Sequence, residues 1–211
     1  MFFTFLLFND REIFEYYPKD LMKAYYILKF KDKIYKRNDD EINQLIESMN
    51  IEINIPNDFI EVDKVIQGES IIYYDKGYKH KKLGLELRFF IIPISDFDKN
   101  PEQFYRTFPK KIFYNISHDT HYLSYDDYIF EIPKDDVINN FGGDLGYACV
   151  IKGKSDFLSE YQGAHIIVVY KENIGMFMLF QLYENDKIMD THKEFIWGPA
   201  MQLLKYNTIE K

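Results

Sequence analysis

Ile42, Leu45, Ile46 and Met49 fall at i, i+3, i+4 and i+7, so they share one face of a helix predicted over residues 39–49. Its start is well marked. Asn38 can accept from a first-turn amide while Glu41 reaches back to it, and Asp39 and Asp40 suit the positive end of the helix dipole. Pro56 then keeps the chain extended. Elsewhere the apolar residues come in short runs rich in β-branched and aromatic types, which favour strands. Residues 2–8 predict a first strand, and residues 26–35 a second extended stretch broken near Lys31-Asp32-Lys33. Residues 70–74 and 83–92 predict a strand pair joined by a basic loop from Asp75 to Lys82, with Pro93 ending the second strand. The runs at 145–151, 164–170 and 175–183 are nearly continuous, as central strands are, and the last two predict a hairpin across Glu172-Asn173. A short helix at 155–161 ending near Gly163 and a helical turn from Pro199 complete the reading.

These elements imply an α+β fold, with a mostly antiparallel sheet of five or more strands and a few short helices. Alternation within the runs sends Phe3, Phe5, Leu7, Phe89, Ile91, Val150, Ile167, Val169, Phe177 and Leu179 inward, covered by the 39–49 helix. No repeat, low-complexity tract or linker divides the 211 residues, so a single domain over 1–211 is expected.

Composition alters this picture in three ways. Aromatic residues make up 18 %, and side chains that each bury roughly 150–250 Å² demand a large core or a binding surface. The net charge of −8 repels phosphate backbones and anionic headgroups, so neither nucleic acid nor a membrane surface is an expected partner. Only Arg11, Arg37, Arg88 and Arg106 offer the guanidinium fork that reads base edges. The single cysteine, Cys149, cannot form an internal disulfide, and the apolar opening lacks a basic flank and a cleavage site. A reducing, cytoplasmic setting is expected. Heavy use of Ile, Lys, Asn, Phe and Tyr matches AT-rich codons and suggests a bacterial or phage gene.

Candidate chemistry is sparse. His118, Asp119 and His121 stand within four residues and Asp190-Thr191-His192 repeats the order, so an extended chain would aim each Asp and His at one ion. Polar loops around turn-forming Asp and Thr explain both segments more simply. Cys149 and His165 lie on neighbouring predicted strands and would make a thiol and base if their side chains met, whereas a Cys in an apolar run is more simply a small hydrophobe. Phe141-Gly142-Gly143-Asp144-Leu145-Gly146 lacks the spacing and the Lys of a phosphate loop and reads as a tight turn.

Charge gives the strongest lead. Between Ser117 and Tyr147 the acids Asp119, Asp126, Asp127, Glu131, Asp135, Asp136 and Asp144 face only Lys134, with Tyr122, Tyr125, Tyr128 and Tyr147 among them. Such a stretch suits a basic protein partner, since complementary potentials speed encounter and Tyr supplies rigid contact area. The expectation is therefore a non-enzymatic protein of inhibitor or toxin-neutralising immunity type, without cofactor. It binds through Asp119, Tyr122, Tyr125, Asp126, Asp127, Tyr128, Glu131, Asp135, Asp136 and Asp144. The alternatives are a metal- or thiol-dependent hydrolase or transferase, and a structural subunit of an assembly.

Overall fold

The computed structural model describes residues 37–62, 74–96, 129–152, 161–184 and 203–207. Helix α1 (Asp39–Ser48) begins as its sequence dictates: the Asn38 side chain accepts from the Glu41 amide at 3.0 Å, and the Glu41 carboxylate accepts from the Asn38 amide at 2.8 Å. Two orphan donors are thereby satisfied at once. Its apolar face delivers Ile42, 0 % exposed, and carries Met49 and Ile46 onto the core.

The strands are β1 (Ile51–Ile53), β2 (Phe59–Val62), β3 (Lys76–His80), β4 (Leu85–Pro93), β5 (Ile129–Glu131), β6 (Leu145–Lys152), β7 (Gly163–Lys171), β8 (Gly175–Tyr183) and β9 (Leu204–Tyr206). Seven of them form one antiparallel sheet in the order β2-β3-β4-β8-β7-β6-β5, and β1 pairs with β9 in a second, two-stranded sheet. The fold is α+β and dominated by antiparallel sheet, as the strand-like runs imply.

Register explains why β4, β7 and β8 read as continuous apolar runs. Leu87, Phe89, Ile91, Leu179, Phe177, Ile167 and Val169 point to one face, and Phe90, Ile92, Met178, Phe180, Ile166 and Val168 to the other; all are buried. A strand covered on both sides has no polar phase. The first face carries the main core, joined by Met49, Ile51, Val137, Phe141, Leu203, Leu204 and Tyr206. Tyr206 ties the small sheet to the large one. Its ring lies 5.2 Å from Phe177 and its hydroxyl donates to the Gly175 carbonyl at 3.0 Å. Burial pushes its pKa well above the ordinary phenol value.

Two segments differ from expectation. The basic stretch 76–82 is not a loop, because residues 76–80 form strand β3 and the turn comes after it. Two of its lysines have carboxylate partners: Lys76 reaches Glu61 at 2.9 Å and Asp39 at 3.3 Å, and Lys79 reaches Glu184 at 3.7 Å. The side chain of His80 closes the turn by accepting from the Lys82 and Leu83 amides. A helix also appears where none is expected. In α2 (Lys134–Phe141), three α-helical residues pass into a π-helical turn at Val137. Gly142 (φ 63°) ends it, its amide donating to the Ile138 carbonyl at 3.1 Å, so the glycine cluster is a helix cap leading into β6.

Of the inward residues, Phe89, Ile91, Ile167, Val169, Phe177 and Leu179 are buried in the core, and Val150 is half-buried. Phe3, Phe5 and Leu7 lie outside the described residues, as do the expected strands at 2–8 and 26–35 and residues 155–160 of the helix expected at 155–161. The hairpin across Glu172-Asn173 is present, with Asn173 at φ 61°, a conformation Asn tolerates. One buried ion pair fastens the entry to α1. Asp75, whose side chain is 0 % exposed, accepts from Arg37 at 3.2 Å and from the Ile91 amide at 2.8 Å, while Arg37 also donates to the Ile91 carbonyl at 2.7 Å.

Candidate functional site

The acidic stretch converges, where it is described, on the β5 end of the large sheet. β5 pairs with β6 through Ile129↔Cys149, Phe130↔Ala148 and Glu131↔Tyr147. Phe130 therefore shares the face of Ala148 and Ile167, yet at the end of the sheet it stays 42 % exposed. Immediately beyond, α2 folds back over that face. Gly146 is what lets it approach, because a Cβ there would meet Val137 at 2.9 Å and Ile132 at 3.2 Å. With Val137 turned inward, its neighbour Ile138 is left 46 % exposed. Glu131, Asp135, Asp136 and Asp144 are exposed as well, and Asp144 accepts from the Glu172 amide at 2.8 Å. Tyr147 is buried and offers its ring to the protein interior. Asp119, Tyr122, Tyr125, Asp126, Asp127 and Tyr128 lie outside the described residues.

The thiol–base pair does not form. Cys149 stands opposite Ile166, and His165 opposite Val150. The two side chains therefore point to opposite faces of the sheet. Burial pushes the Cys149 thiol up to about 12, so it is protonated at neutral pH. His165 instead engages Gln181 through its Nδ1 at 2.8 Å, and burial lowers its pKa. His118, Asp119, His121, Asp190 and His192 all lie outside the described residues. Among the described residues no group of three or more potential ligands gathers, and no helix is long and apolar enough to cross a membrane.

One polar cluster was overlooked in the sequence. Glu86, 5 % exposed, accepts from Arg88 at 2.5 Å and from the Tyr161 hydroxyl, while the Arg88 guanidinium lies over the Tyr74 ring at 4.8 Å and near that of Tyr161 at 5.8 Å. Its signal was available. Charges at i and i+2 within an apolar strand share a face and can pair. The carboxylate is matched by a guanidinium and a phenol, which is how a buried charge is stabilised.

No protein-family model matches the chain, and no curated protein matches it either. A solved structure resembles it: the solution structure of cyanobacterial PsbP (CyanoP) from Synechocystis sp. PCC 6803. The two are 15 % identical, with a TM-score of 0.40, over 75 % of this chain and 88 % of that one. The inhibitor or immunity role and the cytoplasmic location expected from the sequence are not carried further, since neither this likeness nor the other comparisons support them. At such a TM-score the likeness carries no role or location across to this chain either.

Proposed function

We propose that this chain is a structural subunit of a larger protein assembly, held in place through the β5–α2 end of its sheet. The observation that supports the reading is that Phe130 and Ile138 are exposed in a segment whose acids Glu131, Asp135, Asp136 and Asp144 are exposed too. Exposed apolar side chains interspersed with charges suit a protein contact, and the sign of these charges selects a basic partner surface. The site is also rigid. Gly142 caps α2, Lys171 donates to the Gly142 carbonyl at 2.7 Å, and β5 is hydrogen-bonded to β6, so a partner meets a preformed surface.

The test is sedimentation of gently prepared source-cell extract. The parent chain should travel in a complex well above its own 25.5 kDa, and the variant Asp135→Lys/Asp136→Lys should shift toward the free position. Migration of the parent as a free 25.5 kDa chain would overturn the proposal. So would a complex indifferent to the reversal of charge.

A further inference from the structure

The face of the large sheet opposite the main core is apolar across Phe90, Ile92, Met178, Phe180, Ile166 and Val168, yet β4 places Glu86 and Arg88 on it. We infer that Arg88 is the centre of a binding site for a carboxylate, taken end-on by its two Nη atoms. This site is separate from the β5–α2 end, and its use does not depend on the assembly reading.

Register explains how the guanidinium is fixed. Gly77 stands opposite Arg88 on β3, so no side chain at that position competes for the space above the sheet. The Tyr74 ring takes that space. A Cβ on Gly77 would come 2.9 Å from Tyr74 Cε2, and the Arg88 Cζ lies 4.8 Å from the centre of the same ring. A second buried ring, that of Tyr161, is 5.8 Å away. The Arg88 Nε donates to one Glu86 oxygen at 2.5 Å, and the other Glu86 oxygen accepts from the Tyr161 hydroxyl. Rings and carboxylate together hold the guanidinium before any ligand arrives, so binding costs little ordering.

What is left over is the Nη edge. Among the described residues no acceptor reaches either Nη atom of Arg88. Neither is sealed in: Arg88 contributes no buried atom without a partner, and its side chain is 13 % exposed, so the Nη edge meets solvent. Two parallel N–H groups in a rigid plane match the two oxygens of a carboxylate. Phosphate also fits such a fork, and charge decides against it. Lys79, 5.9 Å from the Tyr161 ring, is paired with Glu184 at 3.7 Å as Arg88 is with Glu86, so these charges cancel within a chain at −8. A dianion meets no excess of positive charge here, whereas a singly charged carboxylate needs only the fork. Stability alone does not account for the Glu86–Arg88 pair, because exchanging a buried ion pair for apolar groups is often neutral or stabilising.

The experiment is a titration of the purified, nitrogen-labelled chain with sodium acetate at fixed ionic strength. It follows the Nε–Hε resonance of Arg88 and the amide resonance of Gly77 opposite it. Both should shift and saturate. Arg88→Lys keeps the charge without the fork, so acetate affinity read at Gly77 should fall by at least about tenfold, as expected for one lost charge-assisted hydrogen bond. Should that variant lose the parental circular dichroism, Glu86→Leu/Arg88→Met removes the pair together and should fold with the Gly77 response abolished. Inorganic phosphate is the rival ligand and should bind more weakly than acetate. An N-acetylated tripeptide with a free terminal carboxylate, compared with its amide, distinguishes the sources. Binding tighter than acetate that the amide loses assigns the carboxylate to a protein chain, and binding no tighter than acetate assigns it to a small acid. Shifts that never saturate overturn the inference. So does phosphate that binds as tightly as acetate, or a Gly77 response unchanged in a folded variant.

Discussion

Replacing Gly142 by Ala tests the packing that fixes the β5–α2 end. The residue sits at φ 63°, ψ 16°, a left-handed conformation that costs a residue with a Cβ about 1–2 kcal/mol. A second penalty comes from position. The added Cβ would lie 2.1 Å from the Tyr206 carbonyl oxygen and 3.1 Å from its carbon, where ordinary contact needs well over 3 Å. Both groups are backbone, one in the cap of α2 and the other in β9, so relief means moving β9 away from the cap by about 1 Å. That movement disturbs the Tyr206 hydroxyl bond to Gly175 and the Lys171 bond to Gly142, and overpacking of this kind costs about 1–3 kcal/mol. The expected total is about 2–5 kcal/mol, read as a lower urea midpoint with the denaturant slope unchanged. Gly142→Asn separates the two parts, since Asn tolerates the left-handed region but carries the same Cβ. Equal losses in both variants place the penalty in the collision with β9, and a smaller loss in Asn places it in the dihedral. A loss below ~0.5 kcal/mol in Gly142→Ala would refute the described packing of β9 against the cap.

Two further outcomes are expected. Asp75→Ala leaves the Arg37 guanidinium and the Ile91 amide without their carboxylate, and breaking a buried pair on one side should cost about 3–5 kcal/mol in chemical denaturation; a loss typical of surface sites would contradict the burial of the pair. His165 has a lowered pKa in the folded chain, so the unfolded chain binds more protons as pH falls below the ordinary histidine value near 6.5. Stability should therefore drop on acidification from there, by at most about 1.4 kcal/mol per pH unit from this group, and His165→Gln should flatten that part of the profile.

The periodic parts of the fold were legible because their periods are determined by local geometry. The α1 face, its capping box and the three central strands follow from residues within a few positions of one another. β3 was misread since charged side chains at 76, 79, 81 and 82 imitate a loop, and their partners Glu61, Asp39 and Glu184 are distant in sequence. β1 and β9 are three residues each and exist only as a pair, so neither has a period of its own. The same limit governs the site. Exposed acids were readable one by one, but the exposure of Phe130 depends on its being in the last of the described strands of the sheet, and the separation of Cys149 from His165 depends on a register that places an odd offset between them.

The pairing of Ile51 with Tyr206 has a meaning for biogenesis. These partners stand about 155 positions apart, and ribosomes add roughly 5–20 residues per second. The strand containing Ile51 therefore waits roughly 8–30 s for its complement to be synthesised. Throughout that interval the strand edge at Ile51 lacks the partner it has in the finished molecule, so this chain presents an unpaired edge to the cell late in translation. Chaperone contact with the nascent chain should concentrate there.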